Sequence, residues 1–218
     1  MPTTELDRLE RHPLVRRLRQ SLFERPGRVA HVEGRARKAA ILLAMRERAD
    51  GEPELLMIKR ADFDGDPWSG HIACPGGRME PEDGDLAVTA IRETWEETGV
   101  DIAVDGRLLG HLDDLSPRSP HLPPMVIRPY VAIVRADIAL VPSREVAEAF
   151  WVPLVVLRSV DAWGTGTVHV RGADRQVSVF RHGPHVVWGL TERVLRQFLE
   201  YVGAAPRGES FGDDASRA

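Results

Sequence analysis

One stretch decides the fold and the chemistry of this chain: Arg92-Glu93-Thr94-Trp95-Glu96-Glu97-Thr98-Gly99-Val100, which follows the turn Pro75-Gly76-Gly77. Residues three and four apart share one face of an α-helix, so Glu93, Glu96 and Glu97 would converge on a small volume. Such like charges weaken an isolated helix, whereas Mg²⁺ prefers oxygen ligands beside an open cleft. The pattern therefore indicates a metal-binding helix, and the alternative is an acidic face turned to solvent.

The predicted helix has defined ends and a second face. Asp83 or Asp85 can cap its N-terminus, and Gly99 can end it in a left-handed conformation. A mostly apolar stripe is expected to dock on a sheet, and it consists of Ala87, Ile91, Thr94, Trp95 and Thr98. Because Pro75-Gly76-Gly77 is typical of a turn that ends a strand, the segment predicts a strand, a glycine loop and an acidic helix.

The remainder of the chain predicts three parts. Residues 1–34 form a helical extension, since leucines recur at near-helical spacing and Pro13 divides the pattern into two helices. Residues 35–203 form one folded domain, and the polar residues 204–218 form a disordered tail. Within the domain, strands are predicted at 39–44, 54–59, 107–112 and 126–134, a turn or short helix at 144–150, a hairpin at 163–181 and a helix at 191–202.

Charge and cysteine content narrow the function classes. The chain has 29 basic and 33 acidic residues and a net charge of −4, without a long basic run that would attract nucleic acid or an anionic membrane. The single cysteine, Cys74, excludes an intramolecular disulfide, and no signal peptide or apolar run of membrane-spanning length is visible. These features predict a cytoplasmic protein that acts on a small molecule.

The glycine loop and acidic helix resemble a Nudix box, in which Gly, five residues, Glu and seven further residues precede Arg-Glu-apolar-x-Glu-Glu-x-Gly-apolar. Residues 92–100 fit the second half, with Thr94 where an aliphatic residue is commoner. In the first half, five residues lead from Gly77 to Asp83 instead of Glu, and eight residues instead of seven separate Asp83 from Arg92. The coenzyme A pyrophosphatase branch of the superfamily carries the same longer loop.

Other stretches resemble that branch in the same order along the chain. They are residues 56–60, 69–77, 89–93, 127–131, 145–154 and 188–191. Three positions depart from the branch: His71 stands where Gln or Glu is usual, Cys74 stands where Phe is usual, and Asp66-Pro67-Trp68 replaces its stretch before Ser69. The resemblance therefore covers about residues 35 to 200, and the departures concern the substrate.

The resemblance implies an α+β fold, a Nudix-type α/β/α sandwich with a mixed β-sheet. It further implies hydrolysis, dependent on Mg²⁺ or Mn²⁺, of the pyrophosphate bond in a nucleoside-diphosphate derivative. Coenzyme A or acyl-coenzyme A is the first substrate class, giving adenosine 3′,5′-bisphosphate and (acyl-)4′-phosphopantetheine. ADP-ribose or NADH is the alternative substrate, and a non-hydrolytic nucleotide-binding sensor is the alternative of another class. Nudix relatives are often dimers, so a homodimer is possible.

Ligand roles follow from motif position in the resemblance. Glu96 and Glu97 are implied as metal ligands, and the backbone carbonyl of Gly77 is implied as a further one. Glu93 is implied as a ligand that also acts on the attacking water. Arg92 is expected to point away from this carboxylate group and to pair with an acid of the preceding loop, for which the candidates are Glu80, Glu82 and Asp83, with Asp83 nearest in spacing.

Residues outside the box complete the candidate site. An acid from later in the chain often reaches the metal site of Nudix proteins, and Glu145 is the first candidate and Glu148 the second; the alternative is that both line a surface turn. Glu93, Glu145 and Arg92 are thus the candidate catalytic residues. Arg60 and Arg78 flank the expected cleft and suit anionic phosphates, although ordinary surface arginines would have the same sequence signature.

Overall fold

A computed structural model describes residues 5–31, 36–64, 68–117, 124–170 and 172–204. The helices are α1 (Glu5–Arg11), α2 (Pro13–Glu24), α3 (Leu86–Thr98), α4 (Ile102–Asp105), α5 (Leu154–Leu157) and α6 (Gly189–Tyr201). The strands are β1 (Arg37–Glu47), β2 (Pro53–Arg60), β3 (Ile72–Ala73), β4 (Gly76–Arg78), β5 (Gly106–His111), β6 (Met125–Val134), β7 (Val146–Pro153), β8 (Trp163–Val170), β9 (Ala173–His182) and β10 (His185–Trp188). The predicted strands, hairpin and closing helix are present with shifted ends.

The main sheet has seven strands and mixed direction. Its central order is β3-β2-β1-β6-β5, with β4 also paired to β1 and β7 also paired to β2. β1 and β6 run parallel, with Leu42 opposite Tyr130, while the other pairs are antiparallel. A second sheet of three antiparallel strands has the order β10-β9-β8. The chain therefore combines a mixed sheet with separate helices.

Alternation along β1 separates two cores, because successive strand residues face opposite sides of a sheet. Leu43 and Met45 face a core that also contains residues of α1, α2 and α6. Ala40, Leu42 and Ala44 face a second core that contains residues of α3 and α4. Helices thus cover both faces of the sheet, and the predicted α/β/α sandwich is confirmed.

The N-terminal helices are part of the first core. Leu9 of α1 and Val15, Leu18 and Leu22 of α2 are buried in it. Pro13 occupies the first turn of α2, where its missing N–H costs no hydrogen bond, so the predicted break into two helices is confirmed. The predicted boundary at residue 34 and the predicted tail 204–218, apart from Ala204, lie outside the described residues. No helix in the described ranges is long and apolar enough to span a bilayer.

Two local predictions are wrong. The expected turn or short helix at 144–150 is mostly strand, since β7 begins at Val146 and pairs with β2 from Arg60 to Glu54. The pairing with a buried strand overrides the weak local preference of these residues. Trp95 was expected to dock on the sheet but is 56% exposed, whereas the smaller Ala90, Thr94 and Thr98 are buried on the inner face of α3.

Candidate active site

Both ends of α3 are fixed by local hydrogen bonds. The Asp85 carboxylate accepts from the backbone N–H groups of Ala87 (2.8 Å) and Val88 (2.9 Å), which identifies Asp85, not Asp83, as the N-cap. Gly99 has φ +76° and donates its N–H to the carbonyl of Trp95 at 2.8 Å, as a left-handed C-cap does. These caps set the helix register, and with it the positions of Glu93, Glu96 and Glu97.

The glycine loop packs directly against α3. The backbone N–H of Gly76 donates to Oε2 of Glu97 at 2.8 Å. A Cβ atom on Gly77 would lie 2.4 Å from the carboxylate of Glu93, so a side chain there would displace that carboxylate. Gly77 is therefore required by the close approach of the Glu93 carboxylate, whereas Gly76 is required because a Cβ there would lie 2.3 Å from the carbonyl oxygen of Ala40 in β1.

The three glutamates differ in exposure and in electrostatic environment. The side chain of Glu97 is 5% exposed, that of Glu93 17% and that of Glu96 47%. Burial raises the pKa of Glu97 to about 7; the hydrogen bond from Gly76 opposes this rise, and the charges of Glu93 and Glu145 add to it. Burial also raises the pKa of Glu93. The acids are thus held together at an electrostatic cost that a bound cation would offset.

Arg92 joins the loop to the carboxylates. Its Nε and Nη2 atoms donate to Asp83 at 2.7 and 3.0 Å, so Asp83 is the loop acid that pairs with it. Nη1 donates to Glu96 at 2.9 Å and Nη2 to Glu93 at 3.1 Å. The expectation that Arg92 points away from the carboxylates is therefore wrong. Its guanidinium carries enough N–H groups to serve both sides at once.

The hydrogen bonds from Arg92 make Asp83 a buried anchor of the loop. They hold the pKa of the Asp83 carboxyl well below its usual range. The same carboxylate accepts from the backbone N–H of Glu80 and the hydroxyl of Thr89, both at 2.8 Å. The side chain of Asp83 is 2% exposed. Loop and helix are thus fixed against each other through one carboxylate.

Glu145 and Glu148, the two candidate acids from later in the chain, lie in different surroundings. The Ser143 N–H donates to the carbonyl of Glu97 at 3.0 Å, and the Ala61 N–H donates to the carbonyl of Glu145 at 2.8 Å. The segment from Ser143 to Glu145 therefore lies against the end of α3. This position agrees with the charge of Glu145 raising the pKa values of Glu93 and Glu97. Glu148 instead lies 3.5 Å from Nε2 of His185 on β10. The geometry groups Glu145, and not Glu148, with the glutamates of α3.

A cleft of about 500 Å³, here called the apolar cleft, opens beside the glycine loop. Its walls include Ala39, Ile41, Trp68, His71, Ile72, Met125, Ile127, Trp188 and Leu190. Arg60 and Arg78 also line it, and Nη1 of Arg60 lies 3.7 Å from Glu97. The aromatic wall, in which the rings of His71 and Trp188 are 4.6 Å apart, was not predicted as functional. Both residues belong to stretches that carry the family resemblance, which was the available signal.

The donor chemistry suits a hard divalent cation. Glu93, Glu96, Glu97 and the carbonyl of Gly77 are all oxygen donors, the class that Mg²⁺ and Mn²⁺ prefer. Within the described ranges, no three His, Cys, Asp or Glu side chains stand as a ready metal site. Arg92 bridges Glu93 and Glu96, while Gly76 and Arg60 hold Glu97 separately. The chemical type of these donors fits the ion, and the carboxylates are held by Arg92, Gly76 and Arg60 in the metal-free protein.

Comparison with known proteins identifies the family. A model described as NUDIX domain matches residues 35–168. The chain is 32% identical over 167 residues to the "Uncharacterized Nudix hydrolase NudL" of Yersinia pestis (strain Pestoides F), covering 76% of this chain and 80% of the relative. A crystal structure of a MutT/nudix family protein from Enterococcus faecalis shares the fold, with a TM-score of 0.51, 16% identity and coverage of 93% of this chain and 75% of that chain. The family predicted from the box is confirmed, and the chain belongs to the Nudix hydrolase family.

Proposed function

We propose that the protein is a divalent-metal-dependent pyrophosphohydrolase that cleaves coenzyme A or acyl-coenzyme A into adenosine 3′,5′-bisphosphate and (acyl-)4′-phosphopantetheine. The observation that carries the activity is the contact between the glycine loop and the buried carboxylates of α3, Gly76 with Glu97 and Gly77 with Glu93. The assignment of the substrate rests on the stretches of sequence that resemble the coenzyme A pyrophosphatase branch. The apolar cleft of about 500 Å³ beside the glycine loop offers space for a group attached to the diphosphate.

The charges of the site suit hydrolysis of a phosphoanhydride. In such reactions negative charge spreads over the phosphate oxygens, so catalysis consists mainly of positioning and charge stabilisation. Glu93, Glu96, Glu97 and the carbonyl of Gly77 would hold the divalent ion, which supplies charge neutralisation and lowers the pKa of bound water. Arg60 and Arg78 would contact the diphosphate from the cleft side, Arg60 through a guanidinium already next to Glu97.

The proton of the attacking water needs an acceptor near the reacting phosphorus. A carboxylate oxygen of Glu145 is the proposed base, and Glu93 orients the water. The water oxygen bonds to phosphorus, the bridging P–O bond breaks, and the released phosphate monoester leaves. Arg92 acts as a positioning residue, since its guanidinium fixes Glu93 and Glu96 relative to the loop.

Product analysis tests this assignment. The purified protein is incubated with Mg²⁺ or Mn²⁺ and, separately, with coenzyme A, an acyl-coenzyme A, ADP-ribose, NADH and a nucleoside triphosphate. Mass spectrometry is expected to detect adenosine 3′,5′-bisphosphate from the coenzyme A compounds. Faster release of AMP from ADP-ribose or NADH would instead make these the substrates, in keeping with the departures at His71 and Cys74. No turnover with either metal would favour the nucleotide sensor.

Replacing each late acid tests the proposed base. Glu145→Gln is expected to lower kcat about 100-fold with little change in KM, because the acceptor of the water proton is lost. Glu148→Gln is the matched control, since this residue faces His185, and it should retain nearly full activity. Steady-state kinetics with coenzyme A and Mn²⁺ measures both. A larger loss in Glu148→Gln than in Glu145→Gln would reverse the assignment.

A further inference from the structure

The residues that carry the proposed base form a tight turn. Val146 donates its backbone N–H to the carbonyl of Ser143 at 3.2 Å, which closes a β-turn over residues 143–146. The hydroxyl oxygen of Ser143 accepts the backbone N–H of Glu145 at 3.3 Å. A serine at the first position of a turn favours the turn when its side chain binds the backbone two residues further on. The side chain of Ser143 therefore helps to set the backbone conformation from which Glu145 projects.

Two backbone hydrogen bonds attach this turn, and the residues just before it, to the C-terminal end of α3. Val141 donates its N–H to the carbonyl of Thr98 at 2.8 Å, and Ser143 donates its N–H to the carbonyl of Glu97 at 3.0 Å. The last carbonyls of a helix lack partners within the helix, so they can accept such contacts. Glu97 is thus a proposed metal ligand through its side chain and an anchor of the turn through its backbone.

The other side of the turn is attached to the end of β2. Ala61 donates its N–H to the carbonyl of Glu145 at 2.8 Å. The residue before it, Arg60, lies opposite Val146 in the pairing of β2 with β7 and lines the apolar cleft as a proposed contact of the diphosphate. One turn therefore connects the metal-binding helix, the phosphate-binding strand and the proposed base.

The carboxylate of Glu145 has little support of its own. Glu145 is exposed, and in the described parts of the chain no hydrogen bond or ion pair holds its side chain. Glu97, in contrast, accepts a hydrogen bond from Gly76 and lies near Arg60. Burial is the main cause of the raised pKa of Glu97, and the charge of Glu145 adds to it, so the two carboxylates are close enough to interact. The position of the Glu145 carboxylate therefore depends on its backbone.

We infer that Ser143 is a positioning residue for the hydrolysis: its hydroxyl oxygen holds the amide of Glu145 and thereby keeps the base at a fixed place relative to Glu97. This inference rests on the proposed function, in which Glu145 accepts the proton of the attacking water. In this role Ser143 acts through Glu145 and not through contact with the substrate.

Two variants of Ser143 and a matched serine test the inference. Ser143→Ala removes the acceptor and should lower kcat about tenfold with KM changed less than about twofold, because a displaced base loses much of its effect while substrate binding is retained. Ser143→Thr keeps the hydroxyl and should retain kcat within about twofold. Ser159→Ala is the control, since the carbonyl of Ser159 also accepts an N–H three residues on, from Ala162 at 3.2 Å, in a turn after α5. Steady-state kinetics uses Mn²⁺ and coenzyme A, or ADP-ribose if that is the compound hydrolysed.

The double variant Ser143→Ala/Glu145→Gln separates positioning of the base from a general structural role. If Ser143 acts only through Glu145, the double variant should have the same kcat as Glu145→Gln, about 100-fold below the wild type. Independent effects would instead multiply and lower kcat about 1,000-fold.

Hydrogen exchange tests the contact without turnover. The exchange of the Glu145 amide is followed by NMR spectroscopy in EDTA. It should become about fivefold faster in Ser143→Ala, since one hydrogen bond of this amide is lost, and it should stay at the wild-type rate in Ser143→Thr and Ser159→Ala.

The outcomes separate this inference from the proposed function. Wild-type kcat in Ser143→Ala, multiplied losses in the double variant, or unchanged exchange of the Glu145 amide would overturn the positioning role and leave the pyrophosphohydrolase intact. Full activity in Glu145→Gln would overturn the proposed base, and no turnover of any compound would overturn the proposed function; the positioning role would fall with either. A loss in Ser143→Ala that Ser143→Thr does not show, and that adds nothing to Glu145→Gln, would support both.

Discussion

Glu97→Gln is expected to lower kcat by about 100-fold or more, because the substitution removes a charged oxygen donor from the centre of the site while keeping the shape of the side chain. Glu97 is the most buried of the three glutamates of α3 and accepts a hydrogen bond from Gly76 at 2.8 Å. The amide oxygen of Gln can accept the same bond, so the loop should keep its position. The loss would then come from weaker metal binding and weaker stabilisation of the transition state.

The same substitution is expected to stabilise the metal-free protein. Burial raises the pKa of Glu97 from 4.5 to about 7, so the folded state binds this proton more tightly than the unfolded state. The stability of the wild type therefore falls as the pH rises from about 4.5 to about 7. Above pH 7, Glu97→Gln should be more stable than the wild type by about 1–3 kcal/mol. Below pH 4.5 this difference should vanish.

Urea unfolding in EDTA at pH 5 and pH 8, together with kcat measured in Mn²⁺, tests both parts. Glu200→Gln on the exposed side of α6 is the matched control, and it should change neither the urea midpoint nor kcat. Wild-type activity in Glu97→Gln would contradict the metal-ligand assignment. If wild type and variant had the same urea midpoint at pH 8, the buried charge of Glu97 would not destabilise the metal-free protein.

Features with a local cause were predictable from the sequence. The spacing of Glu93, Glu96 and Glu97 predicts one acidic helix, and Gly99 marks its end because a left-handed residue is needed there. The distance along the chain from Asp83 to Arg92 also favoured the ion pair that the structure contains. In each of these cases the signal and its cause lie within a dozen residues.

Features that depend on distant partners were missed. β7 is a strand because β2 lies beside it, and the sequence from Val146 to Phe150 carries no strong preference of its own. Trp95 shares a helical stripe with Thr94 and Thr98, but the close approach of α3 to the sheet leaves room only for the smaller residues. The pairing of His71 with Trp188 joins segments more than 100 residues apart, which periodicity cannot predict.

Arg92 shows why the direction of a side chain was harder to predict than its partner. Motif position predicts a single partner for Arg92, which is one acid of the preceding loop. A guanidinium is a planar fork with several donors, so it can bind a loop acid on one side and two helix acids on the other. The position of Arg92 on α3, one residue before Glu93 and four before Glu96, already places it within reach of both.

Asp83→Ala is expected to destabilise the protein by about 3 kcal/mol and to lower activity further than the loss of folded protein explains. The substitution leaves the largely buried guanidinium of Arg92 without its main partner, and removing one member of a buried pair costs about 3–5 kcal/mol. Glu93 and Glu96 remain as partners of Arg92, which keeps the cost near the lower end. They would then be held more tightly by the arginine and would be less available to a metal ion.

The stability loss should depend on pH in a defined direction. The pKa of Asp83 is lower in the folded than in the unfolded state, so its contribution is present above pH 3.8 and is lost as the pH falls toward the folded value. The difference in urea midpoint between wild type and Asp83→Ala should therefore shrink in acid. Asp137→Ala removes an exposed partner of Arg135 and is the control, for which little change is expected. If both variants unfolded at the same urea concentration, Asp83 would not be the anchor of the loop, and the position of Glu93 and Glu96 would need another cause.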